Sequence, residues 1–278
     1  MKAKRRATTV SKQASAAKKP ARSRSSIATS RFPILEFDVA TESVIEPSRI
    51  IKSREVPQHC VMCFFQDVIA EICAVDGRIV AVSKSEFGTH PMYEIEFAGE
   101  RLAVVHPGIG APMAAAILEE AIAFGCRKFI ACGGAGVLDA GVMVGHLMVP
   151  ASAVRDEGTS YHYLPPGREV EASPHAVDAI REVLIRHGHN FLPGKTWTTD
   201  AIYRETRAKI DRRKREGCIT VEMEAAAFFA VAKFRGVEFG QILYAGDDLS
   251  AEWEHRDWTK HEIRERLFHL AAEACLSL

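Results

Sequence analysis

The chain has 278 residues, 47% of them hydrophobic and 26% charged, enough to build a sizeable core and unlike a collagenous or disulfide-dense chain. Its formal net charge is zero, yet residues 1–31 carry ten Lys and Arg and no acid, leaving 26 basic against 36 acidic residues in the body. An acidic body excludes the footprint of a folded nucleic-acid-binding domain, and no stretch approaches the roughly 20 apolar residues of a membrane span.

Residues 1–31 are rich in Ala, Ser, Thr, Lys and Arg and bury too little apolar surface to order themselves. They are expected to form a disordered basic tail, with 32–278 as a single domain. An organellar targeting segment, a weak polyanion-binding arm and an extension without function all fit that composition. The tail lacks the apolar core of a secretory signal.

Cys60–Phe65 then reads as a strand, followed by a helix near Asp67–Val75. Arg78–Val82, Tyr93–Phe97 and Arg101–Val105 read as strands, with turns at Gly88 and Gly99. Pro112–Phe124 is a helix that Gly125 ends, and Lys128–Cys132 a short strand that runs into a glycine loop, Gly133-Gly134-Ala135-Gly136. His146–Ala153 is a strand, and Pro174–His187 an amphipathic helix stopped by Gly188. Thr196–Thr199 is strand-like, Arg204–Arg215 a charged helix, and Ile219–Val221 leads into an apolar helix over 221–231. Phe239–Ala245 is a buried strand, and Lys260–Ala274 a closing helix. This alternation predicts a three-layer, single-domain α/β fold with a mixed central sheet.

The seven cysteines are odd in number and sit mostly in apolar runs, which predicts reduced thiols and a cytoplasmic protein. Cys60 and Cys63 form a CxxC within a strand, where their side chains point to opposite faces. With no second pair and no His cluster, no metal site is expected.

Two carboxylates, Glu222 and Glu224, flank Met223 just ahead of the apolar helical run. A charge beside a buried helix needs a partner or a task. On a helix the two would stand about 200° apart, so one serves a pocket while the other caps the helix or faces a neighbour. A first-turn pair favoured by the helix dipole is the plain alternative. Three loops follow strand ends, where open α/β sheets bind ligands. Gly133–Gly136 would let backbone N–H groups approach an anion or a sugar, although it also fits a plain tight turn. It lacks GxGxxG spacing and a phosphate-loop lysine, which argues against a dinucleotide or NTP site. His106-Pro107-Gly108-Ile109-Gly110 fits a structural turn better than a site. Gly246-Asp247-Asp248 supplies aspartates suited to general-acid work, with a helix cap or an ion-pair network through Arg256 and Lys260 as the alternative.

Several segments carry a likeness in order: Pro107–Gly110, Phe129–Gly136, Val144–Pro150, Arg155–Tyr163, Thr199–Tyr203, Val221–Ala226 and the strand ending at Asp247. Together they resemble the purine/uridine phosphorylase superfamily of nucleoside phosphorylases and nucleosidases. The resemblance implies cleavage of the N-glycosidic bond of a nucleoside, a purine one in preference to a pyrimidine one, with inorganic phosphate as co-substrate, no other cofactor, and a homodimer or hexamer. It implies that Glu224 bonds the ribose hydroxyls, Met223 packs on the sugar, and Glu222 helps frame the base or ribose edge. It further implies that Asp247 protonates the departing base and that Ile202 and Tyr203 stand where an aromatic stacks on it. Gly133 and Gly134 would line the sugar-phosphate end.

The phosphorolytic members carry arginines where this chain has the segment Cys63-Phe64-Phe65-Gln66-Asp67, Ala131 and, borrowed from a neighbour, Ser85. Lys84, Arg155 or Arg207 are the candidate substitutes. The same departures suit a hydrolytic nucleosidase in which Asp67 activates water, or a nucleoside-binding relative without turnover.

Overall fold

The computed structural model describes residues 27–256 and 259–278. The expected basic tail lies outside them, apart from its last five residues, which form neither helix nor strand. In chain order the chain runs through α1 (Pro47–Ile50), β1 (His59–Cys63), α2 (Gln66–Asp76), β2 (Arg78–Ser85), β3 (Gly88–Phe97), β4 (Glu100–Val105) and α3 (Ala111–Phe124). Then follow β5 (Lys128–Val137), β6 (Leu147–Asp156), β7 (Glu169–Glu171), α4 (Pro174–Arg186), β8 (Phe191–Thr199) and α5 (Arg207–Arg215). The chain closes with β9 (Cys218–Glu222), α6 (Ala225–Arg235), β10 (Glu238–Asp248) and α7 (His261–Leu276). No helix among the described residues is long and apolar enough to cross a membrane.

The centre of the sheet is set by period-2 patterning. β1 and β5 run parallel, with Cys60 beside Phe129 and Cys63 beside Cys132. Alternation sends Cys60, Met62, Phe129 and Ala131 into one apolar layer and Val61, Cys63, Ile130 and Cys132 into the other. Both faces are therefore apolar, as strands covered on both sides must be, and the two thiols of the CxxC are parted by the sheet. α3 and α6 cover the first face; α2, α4 and α7 cover the second. Residues Ala225–Ala232 of α6 are all buried, which explains why that helix carries no polar face. Its polar ends carry the signals instead: left-handed Gly236 closes it (φ 67°), and Lys233 and Arg235 sit in its last turn.

The three-layer mixed sheet matches the expectation, but half of it closes on itself. β5 pairs with β10, β10 with β6, β6 with β8, β8 with β9, and β9 returns to β5. Strands β1, β4, β3 and β2 extend the other edge of β5 as an open sheet. This closure depends on the length of β5. The expected loop at Gly133–Gly136 is instead the second half of that strand. Gly133 pairs with Leu243 and Gly134 with Tyr244 on β10, while Gly136 pairs with Val221 on β9. The glycines are needed for close approach, not for a turn. A Cβ on Gly133 would come 2.9 Å from the Phe64 ring, and one on Gly134 3.2 Å from the Tyr244 ring.

Candidate active site

The site is a cavity of about 290 Å³ at the C-terminal ends of β5 and β10, walled by the β9–α6 junction. Gly133, Gly134, Ile202, Glu222, Met223, Glu224 and Asp247 all line it. Residues that sequence spacing had spread over more than a hundred positions thus meet in one place. Tyr203 does not join them: it is 96% exposed and points away from the lining. Ile202, on the same 3-10 turn (Ile202–Arg204), takes the inward position and leaves the next residue outside.

The two glutamates divide their roles as expected, one capping the helix and the other facing a pocket, but not from helical positions. Neither is inside a helix. Glu222 ends β9, and Glu224 is the non-helical residue before α6, with φ −135° and ψ −30°. Glu222 caps the helix. Its Oε2 accepts the N–H groups of Glu224 at 2.7 Å and Ala225 at 2.6 Å, while its Oε1 accepts the Thr198 hydroxyl at 2.6 Å. Thr198 Oγ1 in turn accepts the N–H of Ala226 at 2.9 Å. Three of the orphan donors at the start of α6 are thereby satisfied. The sequence-based role of Glu222 at the substrate edge competes with these bonds, which leave it little accepting capacity.

Glu224 faces the cavity, and its Oε1 accepts the backbone N–H of Gly110 at 2.6 Å. The segment read as a plain structural turn is therefore part of the site. Gly108 and Gly110 have φ of 77° and 86°, a region that glycine enters at little cost, and Ile109 between them lines the cavity. Burial, then the negative charge of Glu222, pushes the Glu224 carboxyl well above the ordinary carboxylate range. Glu222 also rises through burial, but its three donors and the helix N-terminus favour its charged form. The pair therefore holds a shared proton into the neutral range.

Asp247 sits where β10 breaks its pairing with β5, between Ala245 and Asp248. A bulge of this kind re-aims side chains at a sheet's rim. Asp247 Oδ2 accepts the Trp253 indole N–H at 2.8 Å, and its Oδ1 lies over Gly136, 3.6 Å from where a Cβ would stand. The neighbouring Asp248 took the structural role: it is buried, ion-paired to Arg256, and accepts the N–H of Ser250 at 2.7 Å.

Among the lining residues not singled out from the sequence, four bear on the site's shape and chemistry. Phe64 shapes the cavity over Gly133. Gln241, 1% exposed on β10, brings an Oε1 with no hydrogen-bond partner. Glu205 ends the 3-10 turn, and burial together with the Asp247 charge raises it to about 7. Arg264 of α7 is the one cation in the lining among the described residues, held at 3.2 Å from both oxygens of Asp67. Its distance along the chain from every motif hid it from sequence reading.

None of the expected substitute cations lines this cavity. Lys84 stands exposed on β2. Arg155 is buried against Ser160 and the carbonyls of Leu164 and Pro165, and Arg207 bonds the carbonyls of Leu249 and Ser250. Asp67 opens onto an adjoining cleft of about 1030 Å³ instead. Burial raises its carboxyl, but bonds from His261 and Arg264 outweigh burial and hold it below the ordinary value, a poor setting for a general base.

The sequence profile of the Phosphorylase superfamily matches residues 58–276. A guanosine phosphorylase of Halorubrum lacusprofundi is 31% identical over 188 residues, covering 66% of this chain and 75% of that protein. A uridine phosphorylase of Thermococcus kodakarensis is 29% identical over 180 residues, covering 60% of this chain and 64% of the relative. Among solved structures, an AMP nucleosidase from Bacteroides thetaiotaomicron superposes with a TM-score of 0.66 at 20% identity, over 80% of this chain and 89% of the other. At that identity the last likeness concerns the fold alone.

Proposed function

The chain belongs to the phosphorylase superfamily, and from that membership and the cavity's chemistry we propose that it cleaves the N-glycosidic bond of a purine nucleoside with inorganic phosphate. The observation that carries this reading is the meeting of Glu224 and Asp247 in one cavity of about 290 Å³. In the reaction the bond from C1′ to the base nitrogen breaks and its electron pair goes to the base. Asp247 gives a proton to the base, and a phosphate oxygen bonds C1′. The sugar gathers positive charge on the way, and the Glu222–Glu224 pair, which carries one negative charge while it shares a single proton, stabilises it through Glu224 against the ribose hydroxyls. Met223 and Ile202 supply apolar lining for sugar and base, and Gly133 and Gly134 let the ligand approach the sheet. Gln241 offers a buried acceptor to a substrate hydroxyl or amino group. Arg264 supplies the positive charge nearest to an anionic co-substrate.

Hydrolysis is the second reading, and one feature favours it. Among the described residues four carboxylates line the cavity against a single arginine that already has a carboxylate partner, an unfavourable field for a phosphate dianion. A panel of guanosine, inosine, adenosine and uridine, assayed with and without phosphate for free base and sugar product, separates the two. Base release that requires phosphate and yields pentose 1-phosphate upholds phosphorolysis. Release of free pentose at the same rate without phosphate overturns it in favour of water, and preferential cleavage of uridine overturns the purine assignment.

A further inference from the structure

Gln241 on β10 is 1% exposed, and its Oε1 has no hydrogen-bond partner among the described residues. Strand pairing makes room for it. It lies opposite Ala131 on β5, and Gly133, two positions further along that strand, carries no side chain. Period-2 alternation turns all three residues to one face, so small neighbours leave the amide free to reach the cavity that it lines. A buried acceptor without a partner costs stability. A ligand that brings a hydrogen to this point removes that cost.

The place of Gln241 along β10 narrows the kind of ligand. Asp247 and Gln241 line the same cavity from one strand, six residues apart. That spacing sets their Cα atoms roughly 20 Å apart, less what the bulge removes. Asp247 addresses the departing base, so Gln241 stands at the opposite end, beyond the sugar. In a displacement at C1′ the entering group lies on the far side of the sugar ring from the leaving group. That far side is the Gln241 end. The sugar hydroxyls are addressed by Glu224, which leaves the entering oxygen as the group that can bring Oε1 its hydrogen.

We propose that Gln241 holds the attacking nucleophile, its Oε1 accepting an O–H of water or of monohydrogen phosphate and so turning a lone pair of the entering oxygen toward C1′. This rests on the nucleoside-cleaving reading above and adds to it a residue for the entering group. The electron pair of the C1′–N bond leaves with the base, Asp247 gives the base its proton, and the entering oxygen's lone pair bonds C1′. Monohydrogen phosphate attacks through an unprotonated oxygen and keeps its hydrogen on Gln241 throughout. Water keeps one hydrogen on Gln241 and passes the other, as a proton, to the Glu222–Glu224 pair, whose one negative charge can take it. The neutral amide does not draw a phosphate dianion by charge; it orients whichever oxygen enters.

The test uses the full chain and its Gln241→Met variant, which roughly keeps the volume and removes the acceptor. Removing a buried, unpartnered acceptor relieves a cost, so the variant is expected to melt at or slightly above the temperature of the parent. Melting well below it would show that the fold already satisfies Gln241, and the proposal would fail. Kinetics then follow free base, free sugar and sugar 1-phosphate from guanosine, inosine and 2′-deoxyguanosine, with and without phosphate. Turnover should fall roughly 10- to 100-fold, alike for the three substrates, while KM for nucleoside stays within a few-fold. With water as nucleophile the fall appears in free sugar. With phosphate it appears in sugar 1-phosphate, together with a raised KM for phosphate. A fall for the ribonucleosides but not for 2′-deoxyguanosine would put Gln241 on the 2′-hydroxyl, and a fall for one base alone would put it on the base. Either result overturns the proposal. If the parent cleaves no nucleoside, the underlying reading fails and takes the proposal with it. If the parent cleaves and the variant matches it, the proposal fails alone.

Discussion

At the level of single residues, Asp247 and Asp248 show how one step along the chain separates chemistry from structure. Asp248 is committed to Arg256 and to the Ser250 N–H. Asp247, on the bulge, keeps one oxygen on Trp253 and presents the other beside Gly136 in the cavity. Replacing Asp247 with Asn keeps the shape and the Trp253 bond but removes the acid. Nucleoside kcat is expected to fall by about 10²–10⁴ while affinity changes only a few-fold. Single-turnover kinetics with a binding titration checks this; unaltered kcat would take Asp247 out of the reaction. Asp248→Asn breaks a buried ion pair instead and should cost stability before it costs chemistry, which thermal melting of the two variants distinguishes.

Among the elements, the loop His106–Gly110 and the start of α6 hold each other. The Gly110 N–H fixes Glu224, Glu222 fixes the first turn of α6, and Thr198 on β8 ties both to the sheet. Gly110 holds this position with φ 86°. Gly110→Ala forces a side chain into a backbone region that costs it about 1–2 kcal/mol. No atom lies within 4 Å of the added Cβ, so the effect comes from the backbone and not from a clash. The expected result is a lowered melting temperature and a raised KM for nucleoside, as the loop relaxes and releases Glu224. A variant that melts and turns over like the parent would show that the loop does not position that carboxylate.

For the molecule as a whole, the buried acids set a pH dependence. The Glu224 carboxyl is raised from an ordinary 4.5 to about 8 in the folded chain. Below 4.5 both folded and unfolded chains carry its proton, and its full contribution to stability is present. Between there and about pH 8 the unfolded chain loses the proton while the folded chain keeps it, so stability declines as pH rises. Glu222 and Glu205 act in the same direction. Glu46, Asp67, Glu94, Asp156 and Glu216 are held low by their partners, and their contribution is lost only under more acidic conditions. The melting temperature of the parent should therefore fall from about pH 5 to about pH 8.5, and Glu224→Gln should flatten that fall. Parallel melting curves for the two proteins across that range would contradict the burial of a proton at Glu224.

The strands and helices were legible because their signals are local. Period-2 apolar runs at Cys60–Phe65 and Phe239–Ala245, and the stops at Gly125 and Gly188, depend only on nearby residues and on backbone geometry. The motif at Val221–Ala226 and the aspartates after β10 were legible for the same reason, since each carries unusual chemistry within a few positions. Tertiary structure alone decided that Gly133–Gly136 continues β5, because only its pairing with β10 and β9 supplies the hydrogen bonds that keep it extended. It alone turned Glu222 into a cap, moved Tyr203 out of the cavity, and brought Arg264 and Glu205 in. Sequence fixes which groups exist and which way a strand or helix turns them. Distance, burial and the choice of partner arise only when remote segments pack together, and those quantities determine what each carboxylate does.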